Sequence, residues 1–483
     1  MISEQSSLKE KTVKGVMWSS IDRFSTQGIQ FVFSILIARL LLPSDYGAVA
    51  MLNIFLSISQ SFIDCGFGTA LIRKLDRTDT DFSTVFYFNI VVGLFFYIVL
   101  WLASPYIAAF YEIPLLEDIT KVLALTFVFS SFSGVHSAKL SITIDFKTIA
   151  KISIIVTILT GSVGLWMAYN GYGVWALVIQ AVSWSLLRTV LLWLFVRWIP
   201  KWIFSWKSFR GMFSFGSKLL ISGLIDTTYK NIYTLVVGKV FSSTTLGLYS
   251  RASGLAQYPS SNITSVLQGV TFPVLSSIQN ETERLADAYK RFLRISAFIV
   301  FPLMVGLAAV ADPLIRLVLT DKWEGCIYLL QIVCFSMMWY PIHAINLNLL
   351  QVKGRSDFFL KLEIIKKIQG VTILCVTIPM GIVVMCYGQI VGSLLSLVYN
   401  TYYTKKLIGY GYIAQMKDLL HILIHSLAMG VGVWCIVQIF DSLWLQLVVG
   451  ILFGAVYYIV GAYFLHFEEL KEMISLVRKK GKN

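Results

Sequence analysis

Charge is scarce in this chain of 483 residues: only 14% are Asp, Glu, Lys or Arg, against 57% hydrophobic. A soluble chain of comparable size carries about a quarter charged residues. Cysteine does not offset the deficit. The six cysteines, Cys65, Cys326, Cys334, Cys375, Cys386 and Cys435, sit in apolar surroundings without metal-ligand or redox spacing. They read as small hydrophobes, not as a disulfide framework. No G-x-x-x-x-G-K-[ST] stretch occurs, which argues against an ATP-binding transporter subunit. No metal, cofactor or catalytic residue is expected. The first apolar run is about 23 residues long and lacks a small-residue cleavage site, so it reads as a retained helix, not a signal peptide.

What the sequence has instead is apolar length. Runs long enough to cross a hydrocarbon core recur at about 15–38, 46–65, 83–103, 119–137, 149–169, 173–196, 212–238, 247–270, 292–310, 326–350, 362–384, 387–404, 419–438 and 443–465. They predict an all-α polytopic membrane protein with about 14 transmembrane helices. Barrel strands would be shorter and would alternate. The segment "WIPKWIFSW" (Trp198 to Trp206) has the look of an interfacial aromatic belt.

The basic residues test this count. With both termini cytoplasmic, the inner segments hold 28 of the 40 lysines and arginines, and the outer loops hold five: Arg39, Lys121, Lys239, Arg316 and Lys322. A missed or invented helix would scramble that alternation. The same bias places the net charge of +14 on one membrane face, against anionic lipid and not nucleic acid.

A repeat is also present. "IARLLLPSDYGAVA" (Ile37 to Ala50) and "VGKVFSSTTLGLYS" (Val237 to Ser250) each run from apolar residues through a basic residue and a polar turn to a glycine, Gly47 or Gly247. "ASPYIAAFY" (Ala103 to Tyr111) and "ADPLIRLVL" (Ala311 to Leu319) form a second pair, aligned at Pro105 and Pro313. Both pairs fall six helices apart. Six is even, so the copies share one orientation, a parallel repeat about an axis along the membrane normal. The expected organisation is an N-terminal six-helix bundle (1–197), a basic cytoplasmic linker (198–211) and a second six-helix bundle (212–406). Two extra helices (407–466) and a basic cytoplasmic tail (467–483) follow. Two like halves suit alternating access around a central cavity, which defines a class and not a substrate.

Ionisable residues within spans are costly and usually face protein or water. Helix 1 carries Asp22 and Arg23, helix 2 Asp64, helix 6 Arg188, helix 7 Lys218, Asp226 and Lys230, and helix 8 Arg251. Asp226 and Lys230 are four apart and share a face. With Ser19, Ser20, Ser25, Gln27 and Gln30, helix 1 can line a wet cavity on one side. The candidate substrate-binding residues are Arg23, Lys230, Arg251, Asp22, Asp226 and Arg188. Each has a plainer reading: the acid–base neighbours lock helices together, and Arg188 and Lys218 snorkel. His136 and His343 read as packing histidines. Glu363, Lys366 and Lys367 form either an internal pairing or a cytoplasmic lip. Bases exceed acids within the spans by seven to four, which favours an anionic substrate.

The stretch from Gly15 to Lys74, with "ARLLLPSDYGAVAM" and "DCGFGTALI", together with "GLYSRA" (Gly247 to Ala252) and "DPLIRLVLTDKW" (Asp312 to Trp323), resembles the polysaccharide exporters of the multidrug/oligosaccharidyl-lipid/polysaccharide exporter superfamily. The likeness is to the colanic acid, teichuronic acid and lipopolysaccharide exporter type, over essentially the whole chain. It implies two six-helix bundles forming a V-shaped central cleft, often with two further helices. It also implies translocation of an undecaprenyl-diphosphate-linked sugar repeat unit across the bacterial cytoplasmic membrane, without covalent chemistry. By position it makes Arg23 and Arg251 cleft residues that meet the pyrophosphate. Proton or sodium coupling, a polysaccharide polymerase and glycosyltransferases are the implied partners. Aromatic residues Tyr229, Tyr233, Trp339 and Tyr340 offer either sugar platforms or helix packing. Two other readings are a drug antiporter of the same superfamily, which would favour acidic cavity residues, and a membrane glycosyltransferase or polymerase, which would favour a large extramembrane loop.

Overall fold

The computed structural model describes the backbone of residues 2–64 and 67–480. Its side chains are described for Lys14 to Met473 except at 16, 64–66, 215, 218, 219 and 222, and for Ser475. The side chains of Asp64, Cys65 and Lys218 therefore lie outside the described residues. Every described element is helical, and a helix overlies each of the fourteen apolar runs. Nine helical stretches among the described residues are long and apolar enough to cross a membrane. The protein is an all-α multi-pass membrane protein.

The chain forms two compact units, residues 1–247 and 248–483. The first holds α1 (Ile2–Leu40), α2 (Pro43–Asp64), α3 (Phe67–Arg73), α4 (Asp79–Tyr111), α5 (Leu115–Ser131), α6 (Gly134–Ile142), α7 (Phe146–Tyr169), α8 (Val174–Val196) and α9 (Trp206–Val240). It also includes the first turn of α10 (Ser243–Ser277). The compact division thus falls after α9, whereas the repeat places its boundary at the basic linker. The reason is packing: α9 lies along α2 and also touches α3 and α4. Phe209 of α9 stacks on Phe67 at 5.8 Å and meets Phe88 at 5.1 Å.

The linker is docked on the first unit. Backbone N–H groups of Lys201 and Ser205 donate to Ser83 Oγ (3.0 Å) and Thr84 Oγ1 (3.1 Å), and Lys201 Nζ meets Asp79 at 2.8 Å. Trp198 packs edge-on against Phe82 and Phe86, whereas Trp202 is 94% exposed beside Tyr87. The aromatic segment is therefore half packing and half surface. His136 is fully buried, stacked on Trp193 at 4.7 Å and bonded to the Trp198 carbonyl, which is the packing role expected of it.

The second unit continues α10 and adds α11 (Thr282–Ala309), α12 (Ala311–Leu319), α13 (Gly325–Met337), α14 (Tyr340–Val352), α15 (Ser356–Thr377), α16 (Ile382–Ile408), α17 (Tyr412–Val437), α18 (Leu443–Phe464) and α19 (Glu468–Lys480). The proline repeat takes two forms. Pro105 lies inside continuous α4, where it removes the N–H that would bond Trp101 O; the Ser104 hydroxyl donates to that carbonyl instead, at 2.7 Å. In the second copy the helix breaks at Val310, and Pro313 sits in the first turn of a separate α12. Arg316 then ties α12 to the following turn through Asp312, Asp321 and Glu324 at 2.7–3.0 Å.

Within lipid the hydrophobic effect does not drive helices together, so close backbone approach and dispersion carry the packing. Gly93 of α4 shows the scale. An added Cβ there would lie 2.7 Å from Ser131 Cβ and 2.9 Å from the Phe127 carbonyl oxygen of α5. Gly93→Val is expected to abolish accumulation of the membrane-inserted protein, whereas Gly28→Ala, with open space around it, is expected to leave the level unchanged. Immunoblots of washed membranes check both.

Candidate functional site

The helices that miss the apolarity needed for a span identify the polar surface. Of the fourteen, α5 is short at 17 residues, and α1, α9, α10 and α15 carry too many polar or charged groups. Three of these four, α1, α9 and α10, arrange those groups in stripes.

In the first unit, Ser19, Arg23, Thr26 and Gln30 recur along one face of α1, and Ser19, Arg23 and Gln30 are exposed. Asp22 lies beside the stripe and accepts from the Thr26 hydroxyl at 3.2 Å. Helix α9 carries Gly223, Asp226, Thr227, Lys230, Asn231 and Thr234 at helical spacing. Lys230 Nζ sits 2.7 Å from Asp226 Oδ2, so the structure brings together the pair expected from the sequence. The side chains are 71% and 49% exposed. An exposed pair of this kind holds weakly and can exchange partners. The Thr227 and Ser61 hydroxyls meet at 3.1 Å, fixing the α9 stripe against α2. Arg188 has a different environment: it is half-buried, with its guanidinium 5.1 Å from the Trp184 ring of the same helix.

In the second unit, Arg251 is half-buried on α10, which also carries Ser253, Gln257, Ser261, Thr264 and Gln268. Some of that polarity is structural. Ser260 Oγ donates to Met337 O at 2.7 Å, and Gln268 Nε2 donates to Asn348 Oδ1 at 3.3 Å. Gln257 and Tyr258 are exposed. His343 is bonded at both ring nitrogens, to Ser393 (2.9 Å) and Asn400 (3.1 Å), another packing role. Glu363 pairs with Lys366 at 2.5 Å, the internal pairing of the two alternatives. Trp339 is buried against Phe301, whereas Tyr340 is 45% exposed.

Sequence reasoning missed one feature of the second unit. Helices α11, α17 and α18 enclose an apolar groove of about 550 Å³, lined by Pro302, Gly306, Met429, Val433, Gly450 and Gly454 among others. Its signal lay in the glycines of α18, which read simply as components of an apolar run. Among the described residues no cluster of His, Cys, Asp and Glu could hold a metal ion.

The nine apolar helical stretches define an all-α multi-pass membrane protein, and α1, α9 and α10 carry polar stripes beside them. The chain belongs to the polysaccharide biosynthesis protein family, whose sequence profile matches residues 36–328. It is 24% identical to the teichuronic acid biosynthesis protein TuaB of Bacillus subtilis over 73% of each chain. It is also 24% identical to the lipopolysaccharide biosynthesis protein WzxC of Escherichia coli, over 82% of this chain and 80% of that one. The fold is shared with the lipid II flippase MurJ, with a TM-score of 0.75 at 16% identity, covering 93% of this chain and 99% of that one. An inward-facing multidrug resistance transporter of the MATE family and MOP superfamily aligns with a TM-score of 0.60 at 14% identity, over 80% and 98%.

Proposed function

We propose that the protein moves a polyprenyl-diphosphate-linked oligosaccharide across the bacterial cytoplasmic membrane by alternating access. It would supply repeat units for exopolysaccharide, capsule or lipopolysaccharide assembly. The observation that carries this reading is the set of polar-striped helices α1, α9 and α10 within a chain of this family. The relatives' names, teichuronic acid and lipopolysaccharide biosynthesis, and the flippase of like fold, point the same way.

A pyrophosphate joined to hydrophilic sugars meets a heavy desolvation barrier in hydrocarbon. A hydrated cleft between two six-helix bundles, part of a fourteen-span V-shaped arrangement, removes most of that barrier. Arg23 and Arg251 supply planar donor forks for phosphate oxygens, and Lys230 supplies a point charge that can leave Asp226 for the ligand. Asp22 holds the α1 stripe through Thr26. Arg188, stacked on Trp184, positions α8 from behind the stripe. Both termini are cytoplasmic in this reading, so the α1–α2 and α9–α10 turns face outwards. A polymerase and glycosyltransferases act on either side of the translocation step, and a proton or sodium gradient is the candidate drive.

The polyprenyl tail stays in an apolar phase, and the α11–α17–α18 groove offers one. Gly306 has room for a Cβ, with Met429 Cε at 3.6 Å, so a larger side chain there fills the groove without breaking the helix crossing. Gly306→Leu is expected to slow translocation of a long-chain polyprenyl substrate severalfold and to spare a short-chain analogue. Initial rates in vesicles for the two substrates check this.

The deciding experiment reconstitutes the protein into vesicles with a labelled polyprenyl-diphosphate oligosaccharide. Leaflet movement well above protein-free vesicles is expected. Efflux of cationic dyes without movement of the lipid-linked sugar would favour a drug antiporter, and polymer synthesis by the purified protein would favour a polymerase.

A further inference from the structure

Two glycines of the first unit sit where no side chain fits. Gly47 lies in the first turns of α2 and Gly247 in the first turns of α10. A Cβ added at Gly47 would overlap the Ser243 carbonyl oxygen and lie 2.6 Å from its carbonyl carbon. A Cβ added at Gly247 would overlap the Pro43 carbonyl oxygen, 2.7 Å from its carbonyl carbon and 3.1 Å from Gly47 N. The contact is reciprocal. Gly47 meets residue 243 and Gly247 meets residue 43; the two glycines are 200 positions apart, and so are their two partners. Self-complementary contacts of this form are what a two-fold axis produces. The repeat seen in the sequence therefore meets itself in space at the residues that define it.

The surroundings make the crossing a seal. A Cβ added at Gly238 of α9 would lie 3.0–3.2 Å from the Met51, Leu246 and Tyr111 side chains, and the Tyr111 hydroxyl donates to Met51 O at 3.1 Å. Lys239 Nζ reaches Phe110 O (2.7 Å) and Glu112 (3.0 Å) at the end of α4. The touching backbones lie next to buried Met51, Leu246 and Tyr111. The contact at the glycines is one of Cα hydrogens against carbonyl oxygens, a weak attraction. It shuts tightly because nothing protrudes, and it parts easily because little holds it.

We propose that this glycine crossing is the outer gate of the transport path, and that Gly47 and Gly247 set how completely it shuts. The proposal rests on the alternating-access reading above. The first turns of α2 and α10 separate once per cycle and return to backbone contact. Any side chain at either glycine wedges them apart, since the obstacle is a carbonyl group and not a movable side-chain tip.

The test places a cysteine at Thr234, on the α9 stripe nearly two turns inside the gate, and labels intact cells with a membrane-impermeant maleimide. The parental chain with its own six cysteines sets the background. Slow labelling is expected with both glycines present, and labelling at least fivefold faster with Gly47→Ala or Gly247→Ala. Gly28→Ala is expected to leave the rate unchanged. Equal rates in all variants would overturn the proposal. If the glycine variants fail to reach the membrane, the Thr234→Cys chain alone decides: labelling above the parental background is expected, and labelling no faster than that background, with or without lipid-linked substrate being made, would overturn the gate. Labelling reads the gate whatever the cargo, so an opening gate with no movement of the lipid-linked sugar would count against the proposed function and not against the crossing.

Discussion

Replacing Arg23 or Arg251 by alanine is expected to reduce polymer export by about tenfold to a hundredfold while the protein still reaches the membrane. The estimate follows from losing one charge-assisted bond to a phosphate, about 1.5–3 kcal/mol, where each 1.4 kcal/mol is a factor of ten. Arg23 is exposed on the α1 stripe and Arg251 is half-buried on α10, so truncation of the first leaves little packing defect and truncation of the second leaves a modest one. Lysine at either position keeps the charge and loses the fork, so a partial rescue of export is expected. Rates of leaflet movement in vesicles, normalised to the protein recovered, are the measurement. Full export by both alanine variants would remove the two arginines from the site.

The fold was legible in the sequence because its cause is one-dimensional. Runs of apolar residues bounded by turns, and a basic bias on alternate loops, depend on a single solvent change along the chain. The Asp226–Lys230 pair was legible for a similar reason, since residues four apart on a helix meet whatever surrounds them. Other features depend on which helix lies next to which. That α9 packs along α2 follows from side-chain fit, including Phe209 on Phe67 and Thr227 on Ser61, and no periodicity encodes it. The Gly47 and Gly247 pair was visible as a repeat mark, but its reciprocal backbone contact needed coordinates. Arg188 illustrates a limit of reading charge alone: its guanidinium lies over the Trp184 ring, four positions away on the same helix, and charge patterning carries no signal for such a contact.

A second large effect is expected at the end of the chain, where charge was read only as a basic tail. Glu469 at the start of α19 is 2% exposed, and Arg294 of α11 meets it at 2.5 Å while also reaching Glu468 at 3.0 Å. His421 Nε2 of α17 lies 3.7 Å from the same carboxylate, and Arg291 pairs with Glu472 at 2.9 Å. Removing one partner of a buried pair costs about 3–5 kcal/mol if the other charge stays buried. Arg294 is 27% exposed and Glu468 72%, so solvent screening lowers that figure. The chain also has an escape: α19 can lift off and hydrate Glu469. Phe467 remains anchored against Phe298 and His425, so release should stop near residue 467. Arg294→Ala is therefore expected to leave the membrane helices intact and to raise protease cleavage within 468–480 by at least tenfold. Arg294→Met combined with Glu469→Leu removes both charges and should restore most of the protection, because no carboxylate then has to be buried alone. Limited proteolysis of the single and double variants, followed by mass analysis of the C-terminal fragment, measures the coupling. Equal cleavage of the parental chain and Arg294→Ala would mean that α19 is held by its apolar residues and not by the ion pair.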